Sequence, residues 1–280
     1  MTKMMFGPPP AASFEATPTK DEIAFFQENG FLAVERLTSD EEVDWLRRIF
    51  EHIFDAANAS QPGGPVDRSG VRIPEVMGKL RQSFFPEIQF PEIFESAYVR
   101  NARKYAAALL KVDESRLTSW GHMIQKEPGG RAAAWHQDHA YWQPEFDYYA
   151  LGVWLPMHDV SVEMGAMQFI PGSHKLGLVK HRQEDDPSQN VLRADIDVDP
   201  TKAVACPLKK GGATFHHSET LHYTAPNATV QPRLAFPMEF QLAPVRRASP
   251  EIMPWVDQHR AAVGGARPPT YVADGKVVAL

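Results

Sequence analysis

Residues 233–243 have the sequence RLAFPMEFQLA, in which apolar positions alternate with mixed ones. One face of an extended chain would carry the apolar side chains of Leu234, Phe236, Met238, Phe240 and Leu242, and the other face those of Arg233, Ala235, Glu239 and Gln241. The apolar face needs helices against it, whereas the mixed face suits the wall of an internal cavity. This segment therefore predicts a strand in a sheet that is backed by helices on one side.

Upstream of this strand, from Leu117 onward, short β-type segments are separated by turn residues. The predicted strands cover residues 120–126, 133–139, 149–156, 167–171, 203–208, 213–221 and 233–243. Strands of this length and spacing are typical of an antiparallel sandwich or a small barrel.

Helical signals occupy the first part of the chain. Thr19 followed by Glu22 is a capping-box pattern that predicts the start of a helix, and Gly30 predicts its end. Ser39 followed by Glu42 is a second capping-box pattern. After Ser39, apolar residues recur at intervals of three and four until about residue 58: Val43, Leu46, Ile49, Phe50, Ile53 and Phe54. A third helix is predicted over residues 92–111. Helices followed by antiparallel strands predict an α+β protein whose helices back one sheet of a jelly-roll-like sandwich.

Composition limits the kinds of partner. The 280 residues include 29 Lys and Arg against 35 Asp and Glu, a net charge of -6, which is not the basic footprint of a nucleic-acid-binding protein. The single Cys206 can form neither an internal disulfide nor a cysteine zinc motif. No stretch approaches the ~18 uninterrupted apolar residues of a membrane span. We therefore expect a cytoplasmic protein with no nucleic-acid or membrane partner.

The predicted organisation is a flexible N-terminal arm over residues 1–18 and a single domain over residues 19–280. Within that domain, helices occupy about 19–111, the jelly-roll core about 117–245 and a C-terminal extension 246–280. No internal repeat or low-complexity linker divides the chain.

Nine of the eleven histidines fall between His122 and His222, inside the strand-rich part, and this clustering indicates a metal site. In an extended segment, His136 and Asp138 lie side by side on one face. His222 is the candidate third ligand, because two histidines and one carboxylate leave half an octahedron open and suit non-haem Fe(II). The alternative for the His-x-Asp pair alone is an ordinary solvated pair on a strand.

Arg233 adds a cation to this hypothesis. If the segment after His222 is a hairpin centred on Asn227 and Ala228, then His222 and Arg233 are cross-strand partners that face the same side. A guanidinium there can bind the carboxylate of an anionic co-substrate bidentately.

Several of these segments together resemble the phytanoyl-CoA dioxygenase-like family of Fe(II)/2-oxoglutarate oxygenases. The matching pieces are NGFL at 29–32, SDEEV at 39–43, HQD at 136–138, Gly165-Ala166 with PGSHK at 171–175, and His222 with Asn227, Thr229 and Arg233. The resemblance runs from about residue 20 to 245. It implies a double-stranded β-helix (jelly-roll, cupin-like) core and a reaction that uses Fe(II), 2-oxoglutarate and O2.

The resemblance also implies roles for individual residues. His136, Asp138 and His222 would hold Fe(II), and Arg233 would pair with the distal carboxylate of 2-oxoglutarate. Trp154 and Thr224 lie where relatives place side chains around the co-substrate, and so do Gln125, Lys126 and His122, although the sequence leaves open which of these three points inward. The chain departs from the family's usual Gly-Ser after the distal histidine, where it has Tyr223-Thr224.

Asp138 bears on the type of reaction. Halogenating members of the family have a small residue in place of this carboxylate, so its presence here indicates an oxygenating member. We therefore expect a dioxygenase that hydroxylates a small organic metabolite and releases succinate and CO2. The alternatives are a non-catalytic jelly-roll protein that binds a metal or a carboxylate, and a zinc hydrolase, which would leave Arg233 without a use.

The remaining polar and aromatic residues allow two interpretations each. His139, Tyr141 and Trp142 follow the predicted metal motif and are candidates for substrate contact, or else for aromatic packing. Of His216 and His217, one is expected to pack and the other to bond a neighbouring strand. The polar stretch 181–200 is a possible lid, or else a solvated loop. Substrate identity and oligomeric state are not encoded in any pattern that we recognise.

Overall fold

The structure, a computed structural model, describes residues 5–10, 14–55, 66–67, 79–184, 191–262 and 270–279. Within these residues the α-helices are α1 (Lys20–Asn29), α2 (Asp40–Phe54), α3 (Pro86–Gln89), α4 (Ala97–Leu110) and α5 (Pro254–Ala262). Short 3-10 helices cover Pro91–Glu95, Glu114–Arg116, Asp138–Tyr141, Ser173–Leu176 and Pro200–Lys202.

The strands fall mostly in the second half of the chain. They are β1 (Phe31–Val34), β2 (Val66–Asp67), β3 (Leu80–Phe84), β4 (Thr118–Lys126), β5 (Ala133–His136), β6 (Phe146–Asp147), β7 (Ala150–Pro156), β8 (Met167–Phe169), β9 (His181–Gln183), β10 (Leu192–Ala194), β11 (Val204–Cys206), β12 (Ala213–His217), β13 (His222–Thr224), β14 (Arg233–Gln241), β15 (Val245–Arg246), β16 (Thr270–Ala273) and β17 (Lys276–Ala279).

Two sheets form the body of the molecule. The larger has the order β1-β12-β7-β14-β4-β3-β2, and the smaller has the order β11-β8-β13-β5. A buried cluster joins them, in which Phe31, Trp154 and Ala235 of the larger sheet meet residues of the smaller one, including Phe169 and Cys206. The predicted jelly roll with helices against one sheet is confirmed, and the space between the sheets is called the lumen below.

Helices cover the outer face of the larger sheet, as the alternation in residues 233–243 predicts. Leu234, Phe236, Met238 and Phe240 belong to one buried core with α2 and α4. The hydroxyl of Tyr98 in α4 also donates to the carbonyl oxygen of Phe236 at 2.9 Å. The mixed face of β14 is thereby turned into the lumen.

The helix ends lie where the sequence predicts them, except for two differences. The capping box of Thr19 and the left-handed Gly30 bound α1 as predicted. Ser39 caps α2, but the Glu42 carboxylate accepts from the backbone N–H groups of Ala97 (2.6 Å) and Tyr98 (2.7 Å) instead of returning to the cap. The predicted helix over residues 92–111 is divided at residue 96, where a 3-10 turn ends and α4 begins. Thus Glu42 ties the start of α4 to α2.

The predicted hairpin between His222 and Arg233 is wrong. His222 lies on β13 of the smaller sheet and Arg233 on β14 of the larger, so the two are not cross-strand partners. The connecting residues cross from one sheet to the other, and the side-chain amide of Asn227 anchors them by donating to the carbonyl oxygens of Lys126 (3.1 Å) and Gln231 (2.7 Å).

The N-terminal arm, predicted to be flexible over residues 1–18, is packed where it is described. Phe14 lies against the main core, and the carbonyl oxygen of Phe6 accepts from the indole N–H of Trp45 at 3.3 Å. Lys104 and Glu15 form an ion pair of 2.5 Å. Aromatic residues in a Pro-rich segment therefore attach this arm to α2 and α4.

The stretch 181–200 also differs from the predicted loop. β9 and β10 form a hairpin, and Leu192 packs with Trp255 and Val256 of α5 in a small core of its own. Residues 185–190 of this prediction lie outside the described residues. No helix in the described part of the chain is both long and apolar enough to span a membrane.

Candidate metal centre

Three side chains from separate points of the chain meet at one end of the smaller sheet. His136 ends β5, Asp138 begins the 3-10 turn after it, and His222 opens β13 directly opposite His136. One ligand atom from each lies within 4.8 Å of the other two. Asp138 Oδ1 is 3.5 Å from Nε2 of His222 and 4.0 Å from Nε2 of His136. The strand predicted over 133–139 thus ends early, but the extended backbone at Gln137 keeps both side chains of the motif on the same side.

Backbone carbonyl groups orient both imidazoles. Nδ1 of His136 is 2.6 Å from the carbonyl oxygen of Ala134, and Nδ1 of His222 is 3.0 Å from that of Thr220. A carbonyl oxygen can only accept, so each Nδ1 donates a proton to the backbone, and each Nε2 is the ring atom that lies toward Asp138 and could bind a metal. Two imidazole Nε2 atoms and one carboxylate oxygen therefore converge, and this donor set fits a divalent transition metal such as Fe(II).

The charge state of Asp138 is also the one that a metal-binding carboxylate needs. Burial opposes ionisation of its carboxyl, but the imidazoles of His222 and His216 outweigh this and hold the pKa of Asp138 well below its usual range. The group is therefore a carboxylate at neutral pH.

A second polar group in the lumen is cationic. Arg233 of β14 and Lys126 of β4 are cross-strand partners, and both are buried. Lys126 Nζ donates to the hydroxyl of Thr224 at 2.8 Å, and the guanidinium of Arg233 lies over the ring of Trp154, with 5.3 Å from Cζ to the ring centroid. Four of the predicted co-substrate residues are thus brought together.

The guanidinium of Arg233 has unusual surroundings for a buried cation. One Nη donates to the carbonyl oxygen of Gly165 at 2.7 Å, while Nε is buried and has no hydrogen-bond partner among the residues that the structure describes. No ion pair joins Arg233 to a carboxylate of the described residues. Burial lowers its pKa to about 10, which leaves it charged at pH 7. A buried cation of this kind is costly unless an anion binds beside it.

The three candidates on β4 have different positions. Lys126 and His122 alternate onto the lumen face, where His122 stacks on Trp120 at the opposite end from Arg233. Gln125 lies on the other face, where its amide oxygen accepts from Arg81 at 2.9 Å. Of the three, Lys126 is therefore the residue that lies beside Arg233.

The three substrate candidates are engaged in packing. His139 is buried, and its Nδ1 is 3.0 Å from a carboxylate oxygen of Glu219. The Tyr141 ring meets that of His136 edge-on, with centroids 5.8 Å apart, and its hydroxyl accepts from the N–H of Leu192 at 2.9 Å. Trp142 is half-buried beside His139. Substrate contact by these residues stays a prediction.

Two lumen residues were not identified as site residues from the sequence. His216 of β12 places Nε2 2.8 Å from Asp138 Oδ2, and Glu239 of β14 is buried on the same sheet face, with one carboxyl oxygen unpartnered. Both stand opposite Gly152 of β7. The alternation in residues 233–243 assigns Glu239 to the lumen face, but nothing in the sequence specifies the contact of His216.

Two side chains from other parts of the chain form hydrogen bonds with the backbone of the metal motif. The indole N–H of Trp255 in α5 donates to the carbonyl oxygen of Ala140 at 3.1 Å. Nε2 of His181 on β9 accepts from the backbone N–H of Gln137 at 3.1 Å, between the two ligand positions. No sequence pattern that we recognise predicted either contact.

Comparison with known proteins agrees with this geometry. The family model described as "Phytanoyl-CoA dioxygenase (PhyH)" matches residues 26–235, which is most of the chain. The chain belongs to the phytanoyl-CoA dioxygenase family. Among curated members, phytanoyl-CoA dioxygenase domain-containing protein 1 of Danio rerio is 24% identical over 254 residues, covering 75% of this chain and 86% of that protein. The Mus musculus counterpart is 26% identical over 222 residues, and the match spans only 64% of its length.

Solved structures with similar coordinates give the same fold. EvdO2 of Micromonospora carbonacea var. aurantiaca, determined in complex with 2-oxoglutarate, is 36% identical and superposes with a TM-score of 0.77 over 87% of this chain and 99% of that one. The epimerase SnoN, determined with Fe3+ and α-ketoglutarate, is 22% identical with a TM-score of 0.63 over 81% of this chain and 85% of that one, and so shows the shared fold alone. The double-stranded β-helix core expected from the sequence is therefore confirmed.

Proposed function

We propose that this protein is a non-haem Fe(II)- and 2-oxoglutarate-dependent dioxygenase that hydroxylates a small organic metabolite. The overall reaction converts 2-oxoglutarate, O2 and a C–H bond into succinate, CO2 and a C–OH group, so that one oxygen atom enters succinate and the other enters the product. The observation that carries the proposal is the presence, in one lumen, of the His136, Asp138 and His222 cluster and the buried cations Arg233 and Lys126.

Each residue has a definite part in this reaction. Nε2 of His136, Nε2 of His222 and Oδ1 of Asp138 would hold Fe(II), since these atoms converge. The bound ion supplies the redox chemistry that couples O2 to decarboxylation of the keto acid. The protein's residues supply binding, orientation and exclusion of water.

The cationic group would bind the distal carboxylate of 2-oxoglutarate. The guanidinium of Arg233 can donate two parallel hydrogen bonds to a carboxylate, and the ammonium of Lys126 adds a second positive charge. The face of Trp154 covers the guanidinium and shields it from water. The binding of 2-oxoglutarate by the structural relative EvdO2 supports this assignment.

Hydroxylation is proposed over halogenation because Asp138 takes a third protein position at the metal. With a bidentate keto acid and O2, the six positions of an octahedron are then filled, which leaves none for a halide. The alternative function, a non-catalytic jelly-roll protein that binds a metal or a carboxylate, is not favoured. Such a protein would not need the metal cluster and the cationic group together.

The test is anaerobic addition of Fe(II) and 2-oxoglutarate, followed by exposure to O2. We expect a visible charge-transfer band from the keto-acid chelate and then release of succinate. His136→Ala and Asp138→Ala should abolish both, while Asp197→Ala, which removes an exposed carboxylate of the same type, should change neither. Full succinate release by either triad variant would overturn the proposal. If the proposal holds, a screen for metabolites that increase succinate release identifies the substrate.

A further inference from the structure

The two oxygens of Asp138 have different surroundings. Oδ1 is turned toward the histidine pair, 3.5 Å from Nε2 of His222 and 4.0 Å from Nε2 of His136. Oδ2 lies 2.8 Å from Nε2 of His216. The carboxylate is therefore divided between the metal cluster and a third imidazole.

The proton on this contact can be assigned. An ionised carboxylate only accepts hydrogen bonds, so Nε2 of His216 carries the hydrogen and donates it to Asp138 Oδ2. The other ring nitrogen, Nδ1, is buried and has no hydrogen-bond partner within the described part of the chain. Because its Nε2 lone pair is absent in this tautomer, His216 is a donor to the ligand and not itself a ligand.

The fold makes specific room for the His216 ring. On β12, His216 stands opposite Phe31 of β1 on one side and Gly152 of β7 on the other. A Cβ atom at Gly152 would lie 2.7 Å from both Cε1 and Nε2 of the ring, closer than real contacts of this type. The ring of Phe169, at 5.5 Å between centroids, bounds it on another side. A glycine is thus required at position 152 for the imidazole to reach Asp138.

We propose that His216 is a positioning residue that restricts Asp138 to ligation through a single oxygen, and that Gly152 provides the space for it. The inference rests on the proposed function, in which Asp138 is a metal ligand. Holding Oδ2 in a hydrogen bond keeps that oxygen off the metal, so three of six coordination positions stay open for a bidentate keto acid and O2. Hydrogen-bonded partners of metal ligands typically change affinity about 10–100-fold when removed.

The experiment is titration of the 280-residue chain with Co2+, monitored by visible absorption and calorimetry. His216→Leu removes the donor and should weaken Co2+ binding about 10–100-fold. His216→Gln places an amide N–H near the former Nε2 and should restore most of the affinity. Gly152→Ala leaves every polar group in place but displaces the ring, so it should behave like His216→Leu. His217→Leu, which changes the neighbouring histidine on the opposite face of β12, is the matched control and should bind like the original chain.

A second measurement reports coordination directly. Addition of 2-oxoglutarate to the Co2+ protein should change its visible spectrum, since a chelate enters two open positions. In His216→Leu the spectrum of the 2-oxoglutarate complex at saturating Co2+ should differ from that of the original chain, because Asp138 can then use both oxygens and changes the coordination of the ion. A role of His216 in folding alone would not distinguish the Leu and Gln variants in this spectrum, and thermal melting of the metal-free variants measures that role separately.

The outcomes separate the two proposals. If the original chain binds Co2+ and both His216→Leu and Gly152→Ala match its affinity and spectra, the positioning role is overturned while the proposed function stands. If the original chain does not bind Co2+ at all, both are overturned. Loss of affinity in His216→Leu and Gly152→Ala, with recovery in His216→Gln, supports the positioning role.

Discussion

Arg233 and Lys126 lie directly opposite each other on β14 and β4, and both side chains are buried in the lumen. Two adjacent cations repel each other strongly where the dielectric constant is low. Lys126 Nζ is held by neutral acceptors, the hydroxyl of Thr224 and the carbonyl oxygen of Ala225 at 2.9 Å. An anion that enters this end of the lumen would lower the repulsion between the two cations and pair with the guanidinium of Arg233.

The first prediction concerns the guanidinium. Arg233→Gln should weaken 2-oxoglutarate binding by about 30-fold or more, since removal of one member of a buried charge pair costs roughly 2–5 kcal/mol. The measurement is titration of the anaerobic Fe(II) protein with 2-oxoglutarate, followed by the charge-transfer band. Arg246→Gln, at an exposed arginine beyond β14, is the control and should leave binding unchanged. Unaltered binding in Arg233→Gln would remove Arg233 from the co-substrate site.

The second prediction tests whether the site requires the lysine side chain at position 126 or only a positive charge there. Lys126→Met should lower 2-oxoglutarate affinity, and Lys126→Arg should not restore it, because the planar guanidinium cannot reproduce the contacts of Nζ with Thr224 and Ala225 in a buried site. The same titration measures both variants. Equal affinity in Lys126→Arg and the original chain would show that charge alone matters at this position.

The sequence allowed prediction of most of the site because its signals are local. The alternation in residues 233–243 places Arg233 and Glu239 on one face, and the His-x-Asp spacing places His136 and Asp138 on one side of an extended segment. These relationships depend only on the period of a strand. Their agreement with the structure follows from backbone geometry within a few residues.

What could not be predicted depends on contacts between distant parts of the chain. The prediction that His222 and Arg233 pair in a hairpin is wrong because a short connection between two strands can join one sheet to another as easily as it can turn within one. The contact of His216 with Asp138 spans 78 residues and requires a glycine on a third strand. No pattern within one segment reports such a contact.

The third prediction concerns pH and stability. Burial raises the pKa of Glu87 to about 7, and its carboxyl oxygen Oε1 accepts from the N–H of Gly121 at 3.0 Å. The folded state therefore holds this proton more tightly than the unfolded chain, and the free energy of unfolding falls as pH rises from about 4.5 to about 7. The loss amounts to about 3 kcal/mol, at 1.36 kcal/mol per pKa unit.

Glu87→Gln should remove this loss, because the amide keeps the acceptor for Gly121 without an ionisable group. Denaturant unfolding at about pH 5 and about pH 8 measures the effect, with the variant more stable than the original chain at the higher pH. Glu114→Gln, at an exposed glutamate, should follow the pH dependence of the original chain. Parallel curves for Glu87→Gln and the original chain would contradict the prediction.

The fourth prediction concerns the protonation of Glu239 in the lumen. Burial, together with the negative charge of Asp138, raises the pKa of this carboxyl well above its usual range. We therefore expect a neutral carboxylic acid at pH 7, visible in the infrared spectrum as the carbonyl stretch of a protonated carboxyl. The difference spectrum between the original chain and Glu239→Gln should contain this band. A carboxylate band in its place would mean that Glu239 carries charge and that the lumen beside Asp138 contains a compensating cation.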